Sequence, residues 1–166
     1  LNVDSQNLKR LKKLKINGLE CFIEVGQDAQ VFAKFVTDAE VFAHMLSSMA
    51  TEVFGLSPVV CHLFWDSNGR VIAFNTDGAL YFNFSMFLLQ QWKYEKVVKQ
   101  INGGKGKQTV LVAPQKAYLD WYGVFCHELS HNHVGPHNAA FVSTAFPFYP
   151  WPLLTTHTCC RLTISR

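Results

Sequence analysis

The chain has 166 residues, enough for one domain with a single core and too few for two. Apolar residues make up 49% of the chain and charged residues 16%, which excludes an intrinsically disordered segment. The net charge of +3 is small, so overall charge gives no strong case for binding to nucleic acid.

The start of the chain at Leu1, without an initiator Met, indicates that it is part of a larger polypeptide. No run of 18 apolar residues occurs, so we expect no membrane span. The cysteines are odd in number and form no C-x-x-C pair, and three of them lie in apolar stretches. We therefore predict reduced, mostly buried thiols and an intracellular location, in the cytoplasm or the nucleus. The cysteines are Cys21, Cys61, Cys126, Cys159 and Cys160.

Residues 1–15 are predicted to form a basic N-terminal helix. Leu8, Leu11 and Leu14 recur every third residue, with lysines and an arginine between them. The pattern leaves two uses open. The helix could pack its leucines on the domain with the charges in solvent, or it could contact nucleic acid or a membrane surface.

Four short strands are predicted, each bounded by turn residues such as Asn17-Gly18. The last three strands are joined by tight turns, which predicts an antiparallel meander and a small antiparallel sheet. The predicted strands are Leu19–Val25, Val59–Trp65, Val71–Asn75 and Ala79–Phe84.

A helix is predicted between the first two strands. Thr37 and Glu40 have the spacing of a capping box, which predicts a helix over Asp38–Val53. Gly55 fits the position just past the end of this helix. The apolar face of the helix is formed by Val41, Phe42, Met45, Leu46, Met49 and Val53.

The polar segment 93–108 is predicted to be a flexible surface loop. Its Gly-Gly-Lys-Gly-Lys run lacks the G-x-x-x-x-G-K-[ST] spacing of a phosphate-binding loop. Thr109–Val112 is predicted to be a short strand, and Pro114 suits the start of a helix. The next helix therefore runs from Gln115 to His133.

His127, Glu128 and His131 form an H-E-x-x-H pattern near the end of that helix. Positions i and i+4 lie on one helix face, so both imidazoles can bind the same metal ion. Glu128 lies beside the first ligand and can act as a general base on a water molecule. The pattern predicts a zinc site of the metallopeptidase kind.

A zinc site of this kind needs a third protein ligand. Gly135 is permissive and Pro136 pushes the preceding residue out of the helical region, so the chain can turn back and bring His137 to the metal. His133 and His157 remain alternatives, although His133 lies on another face of the helix. Residues 129–166 contain no Asp or Glu, so we expect the third ligand to be a histidine.

The last part of the chain, residues 147–166, is a Pro-rich tail. The prolines around its start exclude a regular helix or a central strand there. Tyr149 and His157 are the downstream candidates for stabilising the oxyanion of a peptide-bond hydrolysis.

The segment CHELSHNHVGPHNAAF resembles the zinc motif of the WLM family of metallopeptidases, H-E-L-x-H-x-x-H-G-P-H-D-x-x-F. Val134 and Asn138 depart from that pattern, and neither position is a metal ligand in it. The resemblance implies zinc-dependent peptide hydrolysis. Because WLM-like enzymes act on protein crosslinked to DNA, it also makes a DNA-linked repair protease an alternative. The matching residues are His127, Glu128, Leu129, His131, Gly135, Pro136, His137 and Phe141.

A longer stretch, from Val53 to Phe141, is similar to the C-terminal region of very large sacsin-like, Hsp90-type ATPase-containing proteins. The runs HLFWDSNGRVIAFNTDGALYFNFSMF and YLDWYGVFCHELSHN carry this similarity. It makes a non-catalytic structural zinc module of a large chaperone-like protein a second alternative. Metzincins also use a third histidine at this distance, but their glycine belongs at position 134, where this chain has Val134.

We therefore predict a single α+β, zincin-like domain over residues 1–166, with a small antiparallel sheet, a packing helix and an active-site helix. Its predicted function is zinc-dependent hydrolysis of peptide bonds in a protein or peptide substrate. His127, His131 and His137 are the predicted Zn²⁺ ligands, and Glu128 is the predicted general base.

Overall fold

A computed structural model of the chain describes residues 7–68, 71–104 and 106–132. His133, His137, Tyr149, His157 and the tail 147–166 lie outside these residues. The strands are β1 (Leu8–Ile16), β2 (Leu19–Glu24), β3 (Cys61–Trp65), β4 (Ala73–Thr76), β5 (Ala79–Asn83), β6 (Glu95–Ile101) and β7 (Gly106–Val112). The α-helices are α1 (Val31–Lys34), α2 (Val36–Ser48), α3 (Phe84–Leu89) and α4 (Gln115–Ser130).

Five strands form one mixed sheet in the order β1-β2-β3-β5-β4. β3 runs parallel to both β2 and β5, while β1–β2 and β4–β5 are antiparallel pairs. The α+β class is confirmed, but the prediction of an antiparallel sheet is wrong. α2 carries the chain from β2 back across the sheet, and such a crossover joins parallel strands. The meander is wrong as well, because β5 lies between β3 and β4.

Both antiparallel pairs of the sheet are joined by the turns that the sequence predicts. Asn17 and Gly18 have φ values of 48° and 83°, and Asp77 and Gly78 have values of 50° and 80°. Two consecutive residues with positive φ form the hairpin turn that matches strand twist, and Asn-Gly and Asp-Gly are the pairs that adopt it most readily.

The predicted basic N-terminal helix is wrong, since Leu8–Ile16 is the edge strand β1. Its pairing with β2 is irregular: Arg10 lies opposite Phe22 and Lys15 opposite Glu20, so extra residues of β1 lie between these pairs. Such a bulge resets the alternation of a strand, which explains leucines at every third position. The exposed lysines then fit an edge strand, because charge there discourages pairing with other chains.

α2 begins at Val36, one residue before Thr37, and its N-terminus has no side-chain cap. The predicted capping box is therefore wrong. The predicted apolar face is buried from Val41 through Met49, but Val53 is exposed. The last turn, Met49–Val53, is a π-helix, which rotates the side chains away from the α-helical period. Gly55 has a φ of 62°, as expected for the residue that ends the helix.

The segment 93–108 is not a loop, because β6 and β7 form an antiparallel hairpin there. Gly103 and Gly104, with φ values of 63° and 91°, lie in its turn. Lys99 Nζ lies 2.7 Å from His44 Nε2, and Tyr94 donates a hydrogen bond to the carboxylate of Asp38. These contacts attach the hairpin to α2. β7 also contains the predicted strand Thr109–Val112.

The core lies between one face of the sheet and the helices. Alternation along β2, β3 and β5 points one set of side chains at this core, and Leu63 at its centre is paired with Cys21 and Phe82. Phe42 of α2 stacks on Phe87 of α3 at 4.4 Å between ring centroids. No helix within residues 7–68, 71–104 and 106–132 is long and apolar enough to span a membrane.

Candidate metal site

α4 carries the candidate site at its C-terminal end. The helix follows Pro114 and buries Ala117, Trp121, Phe125 and Glu128. These positions recur at helical spacing, so they form one stripe that faces the core. The stripe is held by Trp121, whose ring meets that of Phe42 at 4.6 Å and whose Nε1 donates to Gln90 at 3.2 Å.

The imidazoles of His127 and His131 lie together on the flank of this stripe. Their ring centroids are 5.1 Å apart and their planes meet at 82°. Zinc–nitrogen bonds of about 2.0–2.1 Å at a tetrahedral angle place two ligand ring centres about 5 Å apart. The donor set and the spacing of these two rings therefore fit a zinc ion.

Glu128 differs from both histidines in its environment. Glu128 as a whole residue is 5% exposed, whereas His127 and His131 are half-buried. Burial raises the pKa of the Glu128 carboxyl from 4.5 to about 7. A carboxyl with this pKa can both take up and release a proton near neutral pH, which is what a general base needs.

The end of α4 is fixed by contacts that the sequence did not indicate. Asn132 N donates to Leu129 O at 3.0 Å, which tightens the last turn, and Ser130 Oγ donates to His127 O at 2.6 Å. The side chain of Asn75, in the edge strand β4, donates to Glu128 O at 2.8 Å. Asn75 is more than fifty positions earlier in the chain, so no local pattern could reveal this contact.

The structure brings together two of the three predicted ligands. Among the residues it describes, no group of three His, Cys, Asp or Glu side chains is placed to hold a metal ion. His137 and the alternatives His133 and His157 lie outside those residues, as does the candidate oxyanion stabiliser Tyr149. The third ligand therefore stays a prediction.

Two other histidines have structural environments instead. His62 packs against Phe22 and Tyr81 on the sheet face opposite the core, with ring centroids 5.4 and 4.8 Å away. Burial lowers its pKa. His44 is half-buried beside Lys99, and burial together with that positive charge lowers its pKa. Neither belongs to a metal-holding cluster formed by the residues that the structure describes.

The cysteines in the described part of the chain are free thiols, as predicted. Burial raises the pKa of Cys21 and of Cys61 to about 12, so neither is a thiolate at neutral pH. Burial also raises the pKa of Cys126, which precedes the first histidine of the site.

Comparison of the chain with protein-family models, with curated proteins and with solved structures finds no match.

Proposed function

We propose that this chain is a zinc-dependent peptidase, with His127, His131 and His137 as ligands and Glu128 as general base. The observation that carries the proposal is the arrangement on the last turn of α4. Two imidazoles lie at the spacing of zinc ligands, and the same turn carries a buried carboxyl whose pKa is about 7. Strongly shifted carboxyls in such settings are typical of functional sites.

A zinc ion supplies Lewis-acid polarisation of a carbonyl and acidifies water that it binds. The chain's own residues supply the rest. The two imidazoles bind through neutral nitrogens and so require a pH at which they are deprotonated. Glu128, held against the core, accepts a proton from the attacking water and can return it to the leaving amine.

The surroundings of the site support a peptide as substrate. β4 pairs only with β5 among the strands that the structure describes, so one side of it is an open sheet edge. The C-terminal end of α4 is tied to this strand through Asn75. An extended peptide can pair with such an edge through its backbone, which would bring a peptide bond close to the histidines.

Two alternatives stay predictions. A structural zinc module requires the histidines but gives Glu128 no chemical task. A DNA-linked protease would have to use the basic residues of β1 and of the β6–β7 hairpin, and binding through them would weaken steeply with salt. Activity of the Glu128 variant and the salt dependence of DNA binding separate these alternatives from the main proposal.

Metal analysis of the purified chain tests the proposal. We expect about one zinc ion per chain, and loss of stoichiometric zinc in His127→Ala, His131→Ala and His137→Ala. His62→Gln is the matched control, because this histidine lies on the sheet face opposite the core. A wild-type chain without zinc would overturn the proposal. Full retention of zinc in His137→Ala would overturn the assignment of the third ligand.

A further inference from the structure

The side-chain amide of Asn75 makes two hydrogen bonds to the end of the site helix. Its Nδ2 atom donates to the backbone carbonyl of Glu128 at 2.8 Å and to Oδ1 of Asn132 at 2.9 Å. The two acceptors lie on either side of His131, which is the C-terminal capping residue of α4. One side chain from the sheet therefore holds both the last turn of the helix and the residue that follows it.

The hydrogen bond from Asn75 to Glu128 O takes the place of a backbone hydrogen bond that is missing at the end of the helix. In an α-helix the carbonyl of Glu128 would accept from the amide of Asn132, four residues on. Here that amide donates to Leu129 O at 3.0 Å instead. Carbonyls in the last turn of a helix need another partner, and Asn75 supplies it for Glu128.

Asn75 is itself held in a defined position. It lies opposite Leu80 in the β4–β5 pair, two residues before the Asp77-Gly78 turn. Phe82 lies opposite Ala73 in the same pair of strands. Because side chains alternate along a strand, Asn75 and Phe82 are on the same sheet face, and this face packs on α4. The register of the hairpin thus decides where the amide meets the helix.

We infer that Asn75 is a positioning residue of the zinc site, an inference that rests on the proposed function. By fixing Glu128 O and Asn132, it sets the orientation of His131 at the end of α4. It touches neither metal nor substrate. Residues that orient metal ligands in this way commonly change metal affinity by about 10–100-fold when they are substituted.

The test compares Asn75→Ala and Asn75→Asp with Asn68→Ala. Aspartate has the shape of asparagine but cannot donate either hydrogen bond when ionised. Asn68 is the matched control, because it is an exposed asparagine that lies after β3, outside β4 and α4. The two measurements are the dissociation constant for zinc, by competition with a chelator, and amide hydrogen exchange of residues 129–132 in the metal-free chain.

We expect both Asn75 variants to bind zinc about 10–100-fold more weakly than wild type and to exchange these amides faster. Asn68→Ala should match wild type in both measurements. Wild-type zinc affinity in both Asn75 variants would overturn the inference. If the wild-type chain binds no zinc, the proposed function fails. Amide exchange would then still test whether Asn75 holds the end of α4. Unchanged exchange rates of residues 129–132 in Asn75→Ala would overturn this role.

Discussion

Glu128 is buried, whereas the imidazole of His127, one residue earlier, is partly exposed. Consecutive residues of an α-helix differ by about 100° in direction, so the carboxyl follows the core-facing stripe and the imidazole lies beside it. The two groups can therefore be changed separately. Substitution of the carboxyl leaves the partly exposed ligand face intact, and substitution of a ligand leaves the buried stripe intact.

Glu128→Gln should keep zinc bound and lower the rate of peptide hydrolysis by about 10²–10⁴-fold, the usual contribution of a general base. The measurement is kcat/KM on a fluorogenic peptide library, with zinc content determined on the same samples. Glu52→Gln, an exposed residue of the π-helical turn, is the control. Equal activity of Glu128→Gln and wild type would remove Glu128 from the mechanism and favour the structural zinc module.

The metal-free chain should become less stable as pH rises through the pKa of Glu128. The folded-state pKa of about 7 lies above the ordinary glutamate value of 4.5, so the folded state holds the proton more tightly than the unfolded state does. The carboxyl therefore contributes its full stabilisation of the folded state below about pH 4.5. This contribution falls as pH rises and is lost once pH passes about 7. The loss amounts to at most about 3 kcal/mol.

Glu128→Gln removes this titration, so the variant should be more stable than wild type at about pH 8 and similar to it at about pH 4. Urea unfolding at several pH values, with a chelator present, measures the difference. A difference in unfolding free energy that does not change with pH would show that the carboxyl does not titrate in this range.

Asn83→Ala should lower the free energy of unfolding by about 2–4 kcal/mol. The Asn83 side chain is fully buried and donates to Asp66 O at 3.0 Å and to Val71 O at 2.9 Å. It also accepts from Ser85 N at 3.1 Å at the start of α3. Its loss leaves several backbone groups without partners. Urea unfolding checks this, with the exposed Asn68→Ala as control.

Tyr94→Phe should loosen the β6–β7 hairpin and cost about 1 kcal/mol. Tyr94 donates to Asp38 of α2, and burial together with this hydrogen bond raises the pKa of its phenol. Amide exchange within the hairpin measures the effect, and Tyr81→Phe in β5 is the matched control. Equal hairpin exchange in Tyr94→Phe and wild type would show that this hydrogen bond does not hold the hairpin on α2.

Features that depend on neighbouring residues could be predicted from the sequence. The Asn17-Gly18 and Asp77-Gly78 turns need only two residues with positive φ. The predicted helix from Gln115 and the position of His127 and His131 on one of its faces need only the helical period. These predictions are confirmed because sequence neighbours determine them.

Features that depend on distant parts of the chain could not be predicted in the same way. The parallel pairing of β2 with β3 follows from where α2 packs, and no residue of either strand encodes it. The leucines of β1 have a helix-like spacing because a bulge interrupts the alternation of side chains along this strand. In the sequence Asn75 is an ordinary residue of a short strand. Its hydrogen bond to Glu128 O depends on the packing of α4 against β4.

The parallel pairing of β2 and β3 also bears on how the chain folds. Glu20 and His62 lie side by side in the sheet although about 40 residues of chain separate them, and closing such a loop costs entropy before any contact repays it. The β1–β2 and β4–β5 hairpins close over two-residue turns and can form early. β3 lies between these two hairpins in the sheet, so we expect its parallel pairing with β2 and β5 to form later than the hairpins do.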